Sequence, residues 1–177
     1  MNFRDEVVEL VKTENLRRVA EIGVWRGELS AMLAPLVDVL VLVDPWSALW
    51  NDFEHGGKRY DCTMGGPVLN QWSLNEMHDD LRKQLPGALI LRMPSVLAAQ
   101  HVPDQSLDLV FIDAVHTYHH CYQDIRVWLP KIRTGGWIAG DDYVPNTPGA
   151  VAAAVDQWFP RRQFQRPPGI WKERVTR

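Results

Sequence analysis

The chain repeatedly builds a short apolar run and ends it on an acid. Val39-Leu40-Val41-Leu42-Val43 closes on Asp44, Leu107 to Ile112 closes on Asp113, and Trp137-Ile138-Ala139-Gly140 closes on Asp141-Asp142. Arg18-Val19-Ala20-Glu21-Ile22 carries its acid just before the closing Gly23, and Ala88-Leu89-Ile90-Leu91-Arg92 runs into Met93-Pro94-Ser95. Short, mainly apolar runs of this length, unbroken in Val39 to Val43, are what strands look like when both faces are covered. A chain that makes five of them is committed to a sheet with something packed on either side.

The segments between the runs supply the covering layers. Phe3, Val7, Leu10 and Val11 recur at helical spacing against Arg4, Asp5, Glu6, Glu9 and Lys12, which predicts an amphipathic first helix. Further helices are predicted over Ser30 to Ala34, ended by Pro35, and over Leu69 to Gln84, stopped by Pro86-Gly87. Val96 to Gln100, Tyr118 to Trp128 and Gly149 to Trp158 complete the set, with Gly135-Gly136 read as the turn into the fifth strand. In the tail, Pro167-Pro168-Gly169 reads as a turn, with one or two last strands around Phe164 and Trp171. Alternating strands and helices predict an α/β fold, a doubly wound, mostly parallel, Rossmann-like sheet with helices on both faces. In such sheets ligands bind beyond the carboxyl ends of the strands, where most of the acids stand.

At 177 residues the chain has room for one domain, 1–177, and not for two. Residues 45–80 break the pattern: Trp50, Phe53, His55, Tyr60 and Trp72 are interleaved with paired glycines. They read as a lid for substrate recognition or as a satellite cluster beneath a long loop. A net charge of -3 speaks against nucleic acid or a membrane surface as partner. The basic residues of the tail, Arg161 to Arg177, read as a solvated face. The start lacks a basic segment followed by an apolar one, and no window has the ~18 apolar residues of a membrane span. The expectation is a cytoplasmic protein. Cys62 and Cys121 are then two free thiols.

The strand ends carry the chemistry. In Glu21-Ile22-Gly23-Val24-Trp25-Arg26-Gly27, Gly23 permits a tight turn and Gly27 lets the next helix sit close beneath a ligand. A dinucleotide site asks for G-x-G-x-x-G. Here Trp25 replaces the middle glycine, and Glu21 repels a pyrophosphate but welcomes a cationic ligand. The loop therefore suits a nucleoside with a positively charged, amino-acid-like tail better than NAD. Asp44 can accept hydrogen bonds from the vicinal hydroxyls of a ribose, or it can cap a turn. Asp113, Asp141 and Asp142 converge beyond adjacent strands and repel one another unless a cation neutralises them, and an all-oxygen set favours Mg²⁺ or a similar hard ion. The alternative is that Asp141 and Asp142 cap a helix or face solvent. His116 is placed to act as a general base or to serve as a structural donor.

Four of these motifs, in this order, resemble the class I S-adenosylmethionine-dependent methyltransferases: Glu21-Ile22-Gly23-x-x-x-Gly27, Asp44, Phe111-Ile112-Asp113-Ala114-Val115-His116-Thr117-Tyr118, and Gly135-Gly136 followed by Asp141-Asp142. The pattern is most similar to a small O-methyltransferase-like group with FIDGDHSY and GG…DD, over about residues 15 to 160. The resemblance implies that Glu21, Gly23, Val24, Trp25 and Gly27 hold the methionine part of S-adenosylmethionine. It implies that Asp44 binds the ribose with Pro45 and Trp46 beside it, Trp46 packing either on the adenosine or in the core or lid, and that Ser95 lies by the adenine, with Asp113 and Ala114 also against the cofactor. It implies further that Asp113, Asp141 and Asp142 bind a divalent ion, that Asp113 and His116 are catalytic, and that a small-molecule hydroxyl is the methyl acceptor. The sequence departs from that group at Met93-Pro94, where relatives tend to have a glycine and an acid, and at Val115, where many carry a second acid. Two other functions stay open: methyl transfer to another nucleophile without metal, and cofactor binding without turnover. A homodimer formed through the final apolar segment is also open.

Overall fold

The computed structural model describes residues 2–47, 52–55, 58–61, 71–145, 150–160 and 169–176, with 52–55, 58–61 and 71 described as backbone. Helix α1 (Phe3–Thr13) begins with a reciprocal cap in which Asn2 and Asp5 satisfy each other's backbone N–H groups, and it buries Val7, Leu10 and Val11. Strand β1 (Arg18–Ile22), helix α2 (Glu28–Leu33) and strand β2 (Val39–Val43) follow. Both strands are buried from their second residue onward, the acid Glu21 included.

The 45–80 region contributes an antiparallel pair, β3 (Asp52–His55) and β4 (Lys58–Asp61), forming a sheet of its own, then α3 (Gln71–Gln84). The hairpin has no counterpart in the periodicity reading, which saw only a broken pattern. Strand β5 (Leu89–Leu91), the single turn α4 (Ser95–Ala98), β6 (Leu107–Ile112) and α5 (Tyr118–Trp128) come next. They are followed by β7 (Ile132–Tyr143), α6 (Val151–Trp158) and β8 (Gly169–Arg174). One expectation is corrected here. Gly135-Gly136 is not a turn before the strand but part of β7, which starts at Ile132. Gly136 is needed inside it because a Cβ would lie 2.7 Å from the Asp108 carbonyl oxygen. Trp171 lies in one final strand, β8, while Phe164 falls outside the described residues.

The main sheet has the order β5-β2-β1-β6-β7-β8, parallel throughout except that β8 runs antiparallel to β7. The α/β, doubly wound reading is borne out. Strand order reverses direction between β1 and β6, so the crevice that such sheets use for ligands opens there. One face of the sheet carries a core built on Ile22, Val43, Ile112, Trp128 and Trp171. The other carries Leu10, Leu42, Trp46, Leu81 and Phe111. No described helix is long and apolar enough to cross a membrane.

Candidate active site

Just past β1 the chain turns over the sheet end in the left-handed region at Gly23, where φ is +88°. A Cβ there would sit 2.0 Å from the Asp113 carbonyl oxygen, so only glycine lets this loop lie against the end of β6. Gly27, with φ +75°, sits on the Leu81 side chain in the same way. Between them Trp25 also has a positive φ, 54°, and stands 39% exposed at the loop's apex. The loop is held from the neighbouring strand end. Asp44 Oδ2 accepts from the backbone N–H of Val24 at 3.1 Å and of Trp25 at 3.0 Å, while Oδ1 accepts from the Trp46 N–H at 2.8 Å. Burial still raises the Asp44 carboxyl above its ordinary range, against the lowering effect of those three amides.

Glu21 is 3% exposed and accepts a 2.6 Å hydrogen bond from the Ser30 hydroxyl, on the inner face of α2. Burial pushes its carboxyl up to about 8, with the nearby Asp113 and Asp44 carboxylates adding to the push and Ser30 opposing it. Ser30 was not among the expected site residues. Its signal was available, since a hydroxyl on the apolar face of a helix needs a polar partner.

The second cluster lies beyond β6 and β7. The register pair Ile112↔Gly140 places Asp113 next to Asp141. Against β8, β7 takes three steps from Gly140 to Tyr143 while its partner takes two from Trp171 to Gly169, which is a bulge. The bulge holds Asp142, at φ 57°, and swings its carboxylate to His116. The His116 Nδ1 lies 2.7 Å from Asp142 Oδ2, and its Nε2 lies 3.1 Å from Asp113 Oδ1. An ionised carboxylate only accepts hydrogen bonds, so both ring nitrogens must donate, which makes the ring an imidazolium. The two carboxylates hold the imidazole up at about 10 in spite of its burial. Asp142 is correspondingly lowered, by its bond to His116. Asp141 is raised, first by burial and then by Asp113 and Asp142, though it accepts from the Asp142 backbone N–H.

This geometry brings together Glu21, Gly23, Val24, Trp25, Gly27, Asp44, Asp113 and Ala114 at one end of the sheet, with Asp141 and Asp142 beside them. It revises three expected roles. His116 has no free lone pair in this arrangement and is not placed as a general base. Trp46 is 1% exposed, its ring set edge-on to His78 and its indole N–H donating to the Trp25 carbonyl at 3.0 Å. It is core beneath the loop rather than a surface for adenosine. Ser95 accepts from the Trp128 indole N–H at 2.8 Å and bonds the buried Asp124, so its hydroxyl is turned into the fold. Burial pushes the Asp124 carboxyl up to about 7. Arg92 was also missed: it reaches the Trp46 carbonyl at 3.0 Å and bonds the Asn75 side chain, tying β5 and α3 to the strand-end loop.

The donor set also tests the expected divalent ion. Among the described residues no group of three or more His, Cys, Asp and Glu is disposed to hold a metal. The space between Asp113 and Asp142 is filled by the His116 ring. As arranged, these residues do not fit a metal.

A family model for a methyltransferase domain matches residues 20–143, well over half of the chain. The chain belongs to that methyltransferase family. The resemblance to the class I enzymes is thereby borne out. Among solved structures, the O-methyltransferase NovP is 18% identical, with a TM-score of 0.63 over 98% of this chain and 78% of its own. An O-methyltransferase from Bacillus cereus, solved with S-adenosylhomocysteine, is 14% identical at a TM-score of 0.58 over 89% of this chain and 66% of its own. An rRNA methylase from Streptococcus thermophilus is 13% identical at 0.61, over 98% and 94%. Three other solved structures are covered over 73%, 66% and 64% of their lengths, so the chain spans about two thirds of some relatives. No curated protein matches it.

Proposed function

We propose that the chain binds S-adenosylmethionine over the ends of β1, β2 and β5 and methylates a hydroxyl of a small molecule held over the ends of β6 and β7. The observation that carries this reading is the gathering of buried acids in the crevice. Glu21, Asp44 and Asp141 are all held above their ordinary range by burial, and Glu21 has like-charged neighbours. A ligand cationic at its amino group and its sulfonium relieves that repulsion, whereas a pyrophosphate adds to it. The O-methyltransferases among the structural relatives support a hydroxyl acceptor, and the net charge of -3 favours a small molecule over nucleic acid.

In this reading Glu21 and the Gly23–Gly27 loop hold the amino-acid end, Asp44 the ribose hydroxyls, and the strand end before Ser95 the adenine. The bound cofactor supplies an electrophilic methyl carbon. The chain's own residues bring the acceptor oxygen into line with it and take up the proton. With both nitrogens of His116 engaged, Asp141 is the group for that proton, because its raised affinity brings it closer to matching a hydroxyl. The 45–80 segment, with its β3–β4 hairpin, covers the acceptor.

Calorimetric titration with S-adenosylhomocysteine, followed by a screen for its release from S-adenosylmethionine against small phenols, catechols and sugars, tests the proposal. Micromolar binding, about -8 kcal/mol, with turnover on a hydroxylated acceptor is the expected result. Binding without turnover on any acceptor class would leave a binding module, and no binding would remove the cofactor assignment.

A further inference from the structure

The three carboxylates at the acceptor end pose a problem of charge that the structure solves from within. Asp113 follows β6 directly and Asp141 and Asp142 occupy the bulge of β7, so the three acids meet at neighbouring strand ends. Such a group needs a positive charge among its members. The His116 ring lies between Asp113 and Asp142 with one nitrogen on each, at 3.1 and 2.7 Å. All three side chains are partly shielded from water, 27% exposed for Asp113, 31% for His116 and 37% for Asp142.

Several local features hold the ring in place. The Val115 carbonyl accepts from the Thr117 N–H at 3.0 Å, and the Thr117 side chain caps α5. Thr117 also forms an isolated bridge with Ala150. The short segment carrying His116 is therefore fixed at its far end, and its near end is fixed where the Asp113 N–H donates to the Ile22 carbonyl at 2.8 Å. On the other side, Asp142 sits in the bulge of β7 with a positive φ. The effect is to turn one carboxylate out of the strand and onto the ring.

We infer that His116 is a built-in cation that takes the place of a divalent metal at the acceptor end, so that this chain holds Asp113 and Asp142 in position without one. His116 is on this view a positioning residue, and Asp141 is left as the carboxylate free to face the acceptor. The inference rests on the proposed function only for the word acceptor. The claim about metal stands or falls on the three side chains alone.

The test is Mn²⁺ uptake by the full chain at neutral pH, followed by the electron spin resonance of the free ion, with S-adenosylhomocysteine binding measured on the same samples. The wild-type chain is expected to show no saturable Mn²⁺ site tighter than ~1 mM, the weak end of biological hard-ion sites. His116→Ala, which opens the space between the two carboxylates, is expected to acquire one. A wild-type site that Asp142→Asn abolishes would overturn the inference, and so would a His116→Ala chain that takes up no ion. As a check independent of any variant's folding, the ¹⁵N shifts of the His116 ring should show both nitrogens protonated at neutral pH and should not move when Mg²⁺ is added. A neutral ring, or one displaced by Mg²⁺, would contradict it. Failure to bind S-adenosylhomocysteine would count against the proposed function and leave the result on Mn²⁺ to be read separately.

Discussion

The two halves of the crevice are made of different material. Over β1 and β2 the site is a backbone loop braced by buried side chains: a left-handed turn at Gly23, amides of Val24, Trp25 and Trp46 gathered on Asp44, and Glu21 locked to Ser30 beneath them. Over β6 and β7 it is side chains: Asp113, His116 and Asp142 bonded to one another, on a loop and a bulge, each about a third exposed. Backbone cannot change partners without unfolding the loop, whereas a set of paired side chains can be rewired by one substitution. A fold that keeps one half in backbone and the other in side chains can hold a common ligand while its second ligand varies. The acceptor is therefore the part of the function least fixed by the fold.

The largest effect should come from breaking the backbone half. In Gly23→Ala the new Cβ has a carbonyl oxygen 2.0 Å away and a φ of +88° to bear, and neither can be relieved by rotating a side chain. Denaturant unfolding should show a loss of ~3 kcal/mol or more, and titration should show no S-adenosylhomocysteine binding. A variant that folds and binds normally would mean that the loop is far softer than its contacts imply.

Next in size is the cost of Glu21. Its carboxyl takes up a proton at about 8 in the folded chain against 4.5 ordinarily. The folded state thus holds the proton where the unfolded state has released it. Stability is greatest below pH 4.5 on this account and falls as pH rises through about 8. Glu21→Gln should flatten that part of the stability–pH curve, measured by urea unfolding between pH 5 and 8.5. An identical slope in the variant would show that Glu21 is not the source.

How much of this was legible in the sequence follows the same division. The sheet, its helices and the turn at Gly23 could be read because strand burial and positive φ leave compositional marks: mainly apolar runs and glycine at turns. The hairpin Asp52–His55 with Lys58–Asp61 left no such mark, since strands of four residues are too short for a period of two to stand out. His116 was legible as a candidate but not in its role, because which acids its two nitrogens meet depends on the bulge at Asp141-Asp142. A bulge is one residue of register, which no pattern of residue types encodes. Trp46 stayed open between adenosine and core for a related reason: its position two residues after Asp44 fits either direction of the ring, and only the core around His78 decides.

A smaller effect should follow at Asp44, which sharpens the comparison by separating loop support from ligand contact. Asp44→Ala leaves three N–H groups without their acceptor and removes the proposed ribose contact. Weakening of S-adenosylhomocysteine binding by ~2 kcal/mol, about thirtyfold, is expected by calorimetry. Unchanged affinity would reduce Asp44 to a brace for the loop.

The smallest effect should come from the acceptor half. Asp142→Asn keeps a residue that tolerates the left-handed φ of 57° and keeps an oxygen for the His116 N–H, so only the charge is lost. The pair is about a third exposed on both sides, where water screens most of its attraction, and the stability change should stay under ~1 kcal/mol. The carboxyl of Asp142 is lowered in the folded chain by His116. Its contribution is therefore present above its ordinary value of 3.8 and is lost as pH falls below that, so wild type and variant should converge in acid. S-adenosylhomocysteine affinity should be unaltered, within about twofold, because the Asp142 side chain is bonded to His116 at the acceptor end. Parallel titrations of Asp142→Asn and Asp44→Ala decide the matter: equal losses of affinity would mean that the crevice is one cooperative unit, and the division between a backbone half and a side-chain half would have to be given up.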